Sequence, residues 1–493
     1  MSDRRSIAVL GTASDVGKSV IATALCRYFS ARGEQVAPFK AQNMSNNAGV
    51  TPDGREIGRA QIVQAEAAFQ IPHADMNPVL LKPNSDTGSQ LVVLGKAVTH
   101  ASARDYYRKK DELYAVACQA YDRLSAAHDR IVLEGAGSCA EVNLMDRDIV
   151  NFPMAAHADA DVILVADIHK GGVFAQIVGT LAILPPQFSA RIKGIVINRF
   201  RGDFSLFASG TEWIEAKTGI PVLGVLPWFT DIHIDDEDSL SLSPMKRPEQ
   251  AEKDAFVIGV IPLPHLANFT DVSPLSRVNG VELVYLAAPS DMDLCHTVIL
   301  PGSKNVLHDL NWIHATGWSK ALLTAADAGK PIFGICGGYQ MLGKRVSDPD
   351  QLEGRHQQVD GIGLLQMETV LEADKITTIT DFEWNGGSGQ GYEIHMGRSR
   401  ALGDDHQPVR ITARNGKPVS DTDGMRSSCG RVMGTYIHGF WDNPDILDRY
   451  LTWAGFHGKT PETFLCGLAY RHQQYDRLAD WLTTHIDLSR MGC

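Results

Sequence analysis

Short β-branched apolar runs recur along this chain, each ending in a glycine-rich or polar stretch and many followed by residues with helical apolar spacing. Residues 6–10 (SIAVL), 130–137 (RIVLEGAG), 161–168 (DVILVADI) and 192–200 (IKGIVINRF) read as buried strands. Residues 19–33 (SVIATALCRYFSARG) have helical spacing and a terminal glycine. Alternation of this kind calls for a mainly parallel sheet flanked by helices, because a parallel connection needs a crossover element to bring the chain back. Ligands of such sheets bind beyond the carboxyl ends of the strands. GTASDVGKS, EGAG, DIHKGG and NRFRGD all fall at those ends.

A second series of the same kind begins at 255–263 (AFVIGVIPL) and passes through 297–303 (TVILPGS), 331–338 (PIFGICGG) and 432–439 (VMGTYIHG). Between the two series the sequence turns acidic, then Ser/Pro-rich, then mixed in charge, as in TDIHIDDEDSLSLSPMKRPEQAEKD. The expected organisation is therefore α/β with two domains: residues 1–230, a linker over 231–254, and residues 255–445. Residues 446–493, with the apolar spacing of ILDRYLTWAGF and YDRLADWL, read as a helical extension packed on the second domain.

Bulk composition removes several function classes. At 44% hydrophobic and 21% charged residues the chain has ordinary globular composition. A net charge of −12 argues against a nucleic-acid surface. The eight cysteines include no CxxC pair, which leaves scattered reduced thiols. The first apolar run is too short for a signal peptide, and no run reaches the roughly 18 residues of a membrane span. A cytoplasmic enzyme is the expectation.

Gly11-Thr12-Ala13-Ser14-Asp15-Val16-Gly17-Lys18-Ser19 stands between a strand and a helix. Backbone N–H groups of Gly11, Thr12, Asp15, Val16 and Gly17 would cradle phosphate, helped by the dipole of the helix that follows. Lys18 would reach the β- and γ-phosphates, and Ser19 would hold Mg²⁺. The usual pattern has four residues between its first glycine and GK; here five separate Gly11 from Gly17.

The second series holds a nucleophile elbow. Pro331-Ile332-Phe333-Gly334-Ile335 is a strand, Cys336 follows, and Gly337-Gly338-Tyr339-Gln340-Met341-Leu342 opens a helix. Small neighbours permit the tight turn, and a helix N-terminus favours the thiolate. A thiol nucleophile needs a base, and His438, at the end of VMGTYIHG, is at the same strand-end level. Backbone N–H groups of Gly302, in LPGSK, and of Gly337 would form the oxyanion hole.

The five-residue loop and Leu133-Glu134-Gly135-Ala136-Gly137 resemble the dethiobiotin synthetase family. That resemblance implies Glu134 as a second Mg²⁺ ligand and Asn198 as a contact to the nucleotide base. Cys336, His438 and the LPGSK strand end together resemble the class I glutamine amidotransferases. Many of those proteins follow the histidine with Pro-Glu and form a Cys-His-Glu triad. Here Gly439-Phe440 follows, so a Cys–His dyad is expected, with Glu393 a weaker third candidate.

The two domain types in this order resemble the cobyrinate and cobyrate amidases of cobalamin biosynthesis. The nearer resemblance is to the cobyric acid synthase family. It runs through PFKAQNMSNN (38–47), NPVLLKP (77–83), DIHKGGVFA (167–175), INRFRGD (197–203) and GYEIHMG (391–397), which is nearly the whole chain. The resemblance implies ATP- and glutamine-dependent amidation of the b, d, e and g carboxylates of adenosylcobyrinic acid a,c-diamide. ATP and Mg²⁺ would be required, with L-glutamine and a corrinoid as partners. Lys40, Lys82, Arg199 and Arg201 are then the candidate carboxylate or phosphate contacts. Two alternatives stand beside this one: the a,c-diamide synthase of the same chemistry, and a regulatory P-loop ATPase carrying an amidotransferase-like domain.

Overall fold

A computed structural model describes residues 6–83, 88–102, 109–229, 231–234, 251–252, 254–354, 356–403, 406–458, 460 and 464–491. The linker expected over 231–254 falls largely outside them. In the first domain β1 (Ile7–Gly11) leads through the glycine-rich loop into α1 (Lys18–Ser30) and β2 (Val36–Phe39). An excursion follows: β3 (Gln42–Met44), the hairpin β4 (Ala48–Val50) and β5 (Glu56–Gly58), helix α2 (Arg59–Ala67), then β6 (Val79–Pro83), β7 (Gly88–Val93) and β8 (Lys96–Ser102). The chain then completes the main sheet with β9 (Arg130–Glu134), β10 (Asp161–Asp167), β11 (Ile192–Phe200) and β12 (Val222–Pro227). All pairings in this sheet are parallel, in the order β12-β11-β10-β1-β9-β2.

Period-two alternation buries both faces of this sheet, as a parallel sheet requires. In β1, Ala8 and Leu10 join one core, while Ile7 and Val9 join the other with Ile21 and Leu25 of α1. The carboxyl ends of β1 and β9 therefore present the loop after Gly11 and the carboxylate of Glu134 side by side.

The second domain carries β13 (Phe256–Val260), β14 (Val281–Tyr285), β15 (Thr297–Leu300), β16 (Ile332–Ile335), β17 (Arg345–Ser347) and β18 (Gln358–Asp360). It continues with β19 (Met367–Trp384), β20 (Gly387–Ala401), β21 (Val409–Arg414), β22 (Lys417–Asp423), β23 (Met425–Arg426) and β24 (Val432–Thr435). Its main sheet has the order β14-β13-β15-β16-β24-β23, parallel except for β23. The long β19–β20 pair builds a separate, mainly antiparallel sheet. Its Tyr392 and Ile394 pack against Ala48 and Val50, so the β4–β5 hairpin is where the two domains meet.

The C-terminal segment corrects one expectation. Its first helix, α4 (Pro444–Ala454), does bury Ile446, Leu447, Tyr450 and Leu451 in the second domain. Helix α3 (Gly337–Leu342) follows β16, and the second C-terminal helix, α5 (Gly467–His485), packs on the first domain instead. Tyr475, Leu478 and Leu482 sit in the core that holds α1, and Asp476 pairs with Arg27 at 2.7 Å. Helix spacing reveals an apolar stripe but not its partner. The matching signal lies in Gly224, where an added Cβ would stand 1.9 Å from the carbonyl oxygen of His485. None of the described helices is long and apolar enough to cross a membrane.

Candidate functional site

Strand β16 ends at Ile335, and Cys336 turns the chain into α3 with φ 49° and ψ −108°. A non-glycine residue at positive φ is strained, and such strain persists only where the surroundings hold it. Here the Cys336 N–H donates to Thr435 O at 2.8 Å. A Cβ at Gly338 would meet Leu300 O at 2.0 Å, so only glycine lets α3 press against the end of β15. The turn thereby aims Cys336 into a cavity shared with Gly302, Gly337, Gln340 and His438.

His438 follows β24, the parallel neighbour of β16. Its Nδ1 lies 2.7 Å from Asp271 Oδ2, and the other carboxylate oxygen accepts from Gly439 N at 2.9 Å. With Nδ1–H donating to a carboxylate, Nε2 is left for the sulfur. His438 and Tyr392 exchange two backbone hydrogen bonds, and the Tyr392 ring stacks on the imidazole. Burial opposes a charged ring, but Asp271 and the Cys336 sulfur more than offset it and lift His438 to about 10. The arrangement is thiol, imidazole and carboxylate in line, suited to acyl transfer.

Asp271 takes the third place that the dyad expectation left empty. Its signal is absent from the sequence because it lies 167 residues before His438 and ends no strand. Glu393 is engaged elsewhere, by Thr380, Arg414 and His395.

The wall of the thiol cavity is not made by one domain. Asn46 and Lys82 reach it from the first, beside Lys304, Glu353 and Lys375 of the second. Glu56 binds Lys82 at 2.7 Å and Lys375 at 2.6 Å, all three side chains nearly enclosed. Burial disfavours the charged form of Lys375 and brings it down to about 7, although Glu56 works the other way. Lys82, one of the candidate carboxylate or phosphate contacts, stands at the thiol side with its ammonium on Glu56 of the hairpin.

At the first domain's loop, Asp15 and Gly17 take positive φ and the Thr12 N–H donates to Val165 O. Lys18 Nζ donates to Ala13 O at 3.1 Å and Gly137 O at 2.9 Å, which folds the ammonium over the loop where phosphates would lie. Asn198 Nδ2 donates to Val16 O at 2.8 Å and its Oδ1 accepts from Arg199 N. The side chain thus braces the loop from β11.

Ser19 Oγ donates to Glu134 at 2.8 Å, and Lys40 Nζ donates to the same carboxylate oxygen at 2.9 Å. Burial alone would raise Glu134, yet Lys40, Gln64 and Ser19 outweigh it and hold the carboxyl below its ordinary range. A hydroxyl and a carboxylate converging beside a phosphate loop fit the oxygen ligands a Mg²⁺ takes. Lys40 supplies the positive charge at that point here. Arg199 pairs with Asp167 at 2.9 Å, and Arg201 lies exposed over the Trp228 ring.

A larger cavity of about 440 Å³ opens between the domains. Val20 and Arg59 line it from the first domain, and Phe269, Asp271, Arg277 and Tyr392 from the second. Arg471 of α5 adds a third guanidinium. These arginines escaped the sequence reading because none stands in a strand-end motif. Asp271 therefore faces both this cavity and His438.

Residues 7–242 match the CobQ/CobB/MinD/ParA nucleotide binding domain, and residues 257–446 the CobB/CobQ-like glutamine amidotransferase domain. A relative from Chlorobium phaeobacteroides, named cobyric acid synthase, is 49% identical over 489 residues, covering 99% of this chain and 96% of its own. One of the same name from Chlorobaculum tepidum is 52% identical over 450 residues, 90% of each chain. Another, from Yersinia enterocolitica, is 48% identical over 505 residues, 99% of this chain and 97% of its own.

Proposed function

The chain belongs to the cobyric acid synthase family of glutamine-dependent amidating ligases, and on that premise we propose how its two domains divide the reaction. The second domain frees ammonia from glutamine. The Cys336 thiolate attacks the carboxamide carbon, and the oxygen's developing charge faces the N–H groups of Gly302 and Gly337. His438, held by Asp271, passes a proton to the departing nitrogen, and ammonia leaves. Water then hydrolyses the thioester to glutamate, with His438 accepting its proton.

The first domain activates a carboxylate. ATP transfers its γ-phosphoryl group to a corrinoid carboxylate, ADP departs, and ammonia displaces phosphate to give the amide. Lys18 leaves its two carbonyl partners to hold the transferring phosphate. Ser19 and Glu134 would hold Mg²⁺, which supplies charge neutralisation on the phosphates. The substrate is adenosylcobyrinic acid a,c-diamide and the amides form at b, d, e and g. Arg59 and Arg277 in the inter-domain cavity would take its carboxylates, with Phe269 and Tyr392 for the ring, while Arg471 there is paired with Glu66 and Asp442. Lys40, Arg199 and Arg201 remain on the nucleotide side.

One observation carries this reading: a complete thiol–imidazole–carboxylate set and a phosphate loop with a lysine and carboxylate stand on facing domains of one chain. Its test is amide counting by mass after incubation with cobyrinic acid or its a,c-diamide. Four amides added to the diamide are expected. Amidation at a and c alone would assign the chain to the earlier enzyme. Cys336→Ala should abolish glutamine-fed amidation and leave ammonium-fed amidation, whereas Lys18→Ala should lose both. Glutamine use by the Cys336 variant at the normal rate would overturn the nucleophile assignment.

A further inference from the structure

Behind the loop that follows β15 stands a group of side chains that the reaction above does not use. Among the described residues, His265, His308 and Asp309 bring one ligating atom each to within 4.8 Å of one another. His265 Nδ1 lies 2.8 Å from Asp309 Oδ1, and His308 Nδ1 lies 3.4 Å from the same oxygen. The two rings meet edge to face with centroids 4.6 Å apart, so their nitrogens converge on that oxygen from different directions. Bonds of about 2.0–2.1 Å put tetrahedral zinc ligands roughly 3.3 Å apart, a spacing these two distances bracket.

Asp309 is the unusual member. Its side chain is 0% exposed, and among the described residues its ion-pair partners are His265 and His308, with no lysine or arginine. An enclosed carboxylate ordinarily needs a full positive charge beside it, and an imidazole carries one only when protonated. The first turn of the helix Val306–Ala315 and the Ser303 hydroxyl, which donates to Oδ2 at 2.7 Å, offset part of the charge. The His265 N–H donates to Oδ2 as well, at 3.2 Å, which fixes the carboxylate with Oδ1 towards the rings. Outer partners of this kind orient a metal-ligating carboxylate. The His308 side chain is half exposed and that of His265 about a quarter, which leaves an approach from solvent.

We propose that these three side chains form a site for one zinc-class divalent cation, bound through both Nδ1 atoms and Asp309 Oδ1, with water in the fourth position. Two imidazoles select such a borderline cation over Mg²⁺ or Ca²⁺, which take oxygen ligands. On binding, each neutral ring keeps its proton on Nε2 and gives the Nδ1 lone pair to the metal. The dication supplies the charge that Asp309 lacks. The site also ties together two segments of the glutaminase. His265 begins the run that leads to Asp271, and Ser303 follows Gly302. Lys304 N donates to His265 O at 2.9 Å and Ala267 N donates to Gly302 O at 3.0 Å. The cation adds a third tie to that pairing.

The test uses the full-length chain carrying Cys336→Ala, which removes the Cys336–His438 pair as a competing ligand set, with Mg²⁺ in excess. Zn²⁺ is titrated against a chromophoric chelator. One tight equivalent per chain is expected. His308→Gln on that background should weaken it by more than the roughly 10–100-fold that loss of an outer partner costs, and His265→Gln should do the same. His308 is half exposed, so its variant keeps the fold, which the metal-free thermal midpoint checks. Zn²⁺ should also raise that midpoint and slow amide exchange over 265–267 and 302–304 in the parent, but not in His308→Gln. Equal Zn²⁺ affinity in His308→Gln and its parent, or no tight equivalent in the parent, would overturn the site. Exchange unchanged with Zn²⁺ bound would overturn the tie between the two segments. None of these readouts uses amidation, so their failure and that of the proposed reaction are told apart.

Discussion

At the scale of single residues, Asp271 decides what His438 can do. Asn in its place keeps the shape and removes the charge that holds the imidazolium. Asp271→Asn should cut glutamine-fed amidation by about 10²-fold or more, with the ammonium-fed rate unchanged, measured in parallel assays. The same substitution has a stability signature. His438 is raised from 6.5 to about 10, so the native state binds its proton more tightly than the unfolded chain does. The stabilisation is complete below pH 6.5 and declines as pH rises through about 10. Thermal midpoints across that window should fall more steeply in the parent than in Asp271→Asn. Cys336 was legible in the sequence because glycines constrain its immediate neighbours. Asp271 was not, because an orienting carboxylate needs only to arrive at the right place in space, and any segment of the fold can deliver it.

Elements show the same division between local and distant information. The four inner strands of each main sheet were readable because burial on both faces leaves near-continuous apolar runs, whereas the edge strands β2, β12, β14 and β23 were not. The phosphate loop and the elbow were readable as strand ends bearing glycine. The final helix was readable as a helix, but its docking was not. An apolar stripe states that something covers it, and the answer lay in α1 and Gly224, more than two hundred residues upstream. Leu478 is fully buried there, so Leu478→Ala should cost about 2–5 kcal/mol. The loss should appear in ammonium-fed amidation on warming as well as in glutamine-fed amidation, because the helix completes the nucleotide-binding core. A helix docked on the amidotransferase domain would spare the ammonium-fed rate.

For the whole molecule, the informative features are those that neither domain owns. The ion pair of Glu56 with Lys375, the cavity lined by Arg59, Arg277 and Arg471, and the wall around Cys336 all draw on both domains. No sequence motif describes them, since each is assembled from short pieces of unrelated segments. Arg277→Ala should raise the KM for the corrinoid while leaving glutamine-independent ATP binding as it was, read by steady-state kinetics and nucleotide titration. The docking of α5 also sets an order of events at the ribosome. The nucleotide-binding core contains Tyr475, Leu478 and Leu482 together with Ile7 and Ile21. That core stays open while the intervening amidotransferase domain is translated, and it closes only once α5 has followed. The half that supplies ammonia is therefore finished before the half that consumes ATP, and a truncated nascent chain is left without a complete ATP-consuming half.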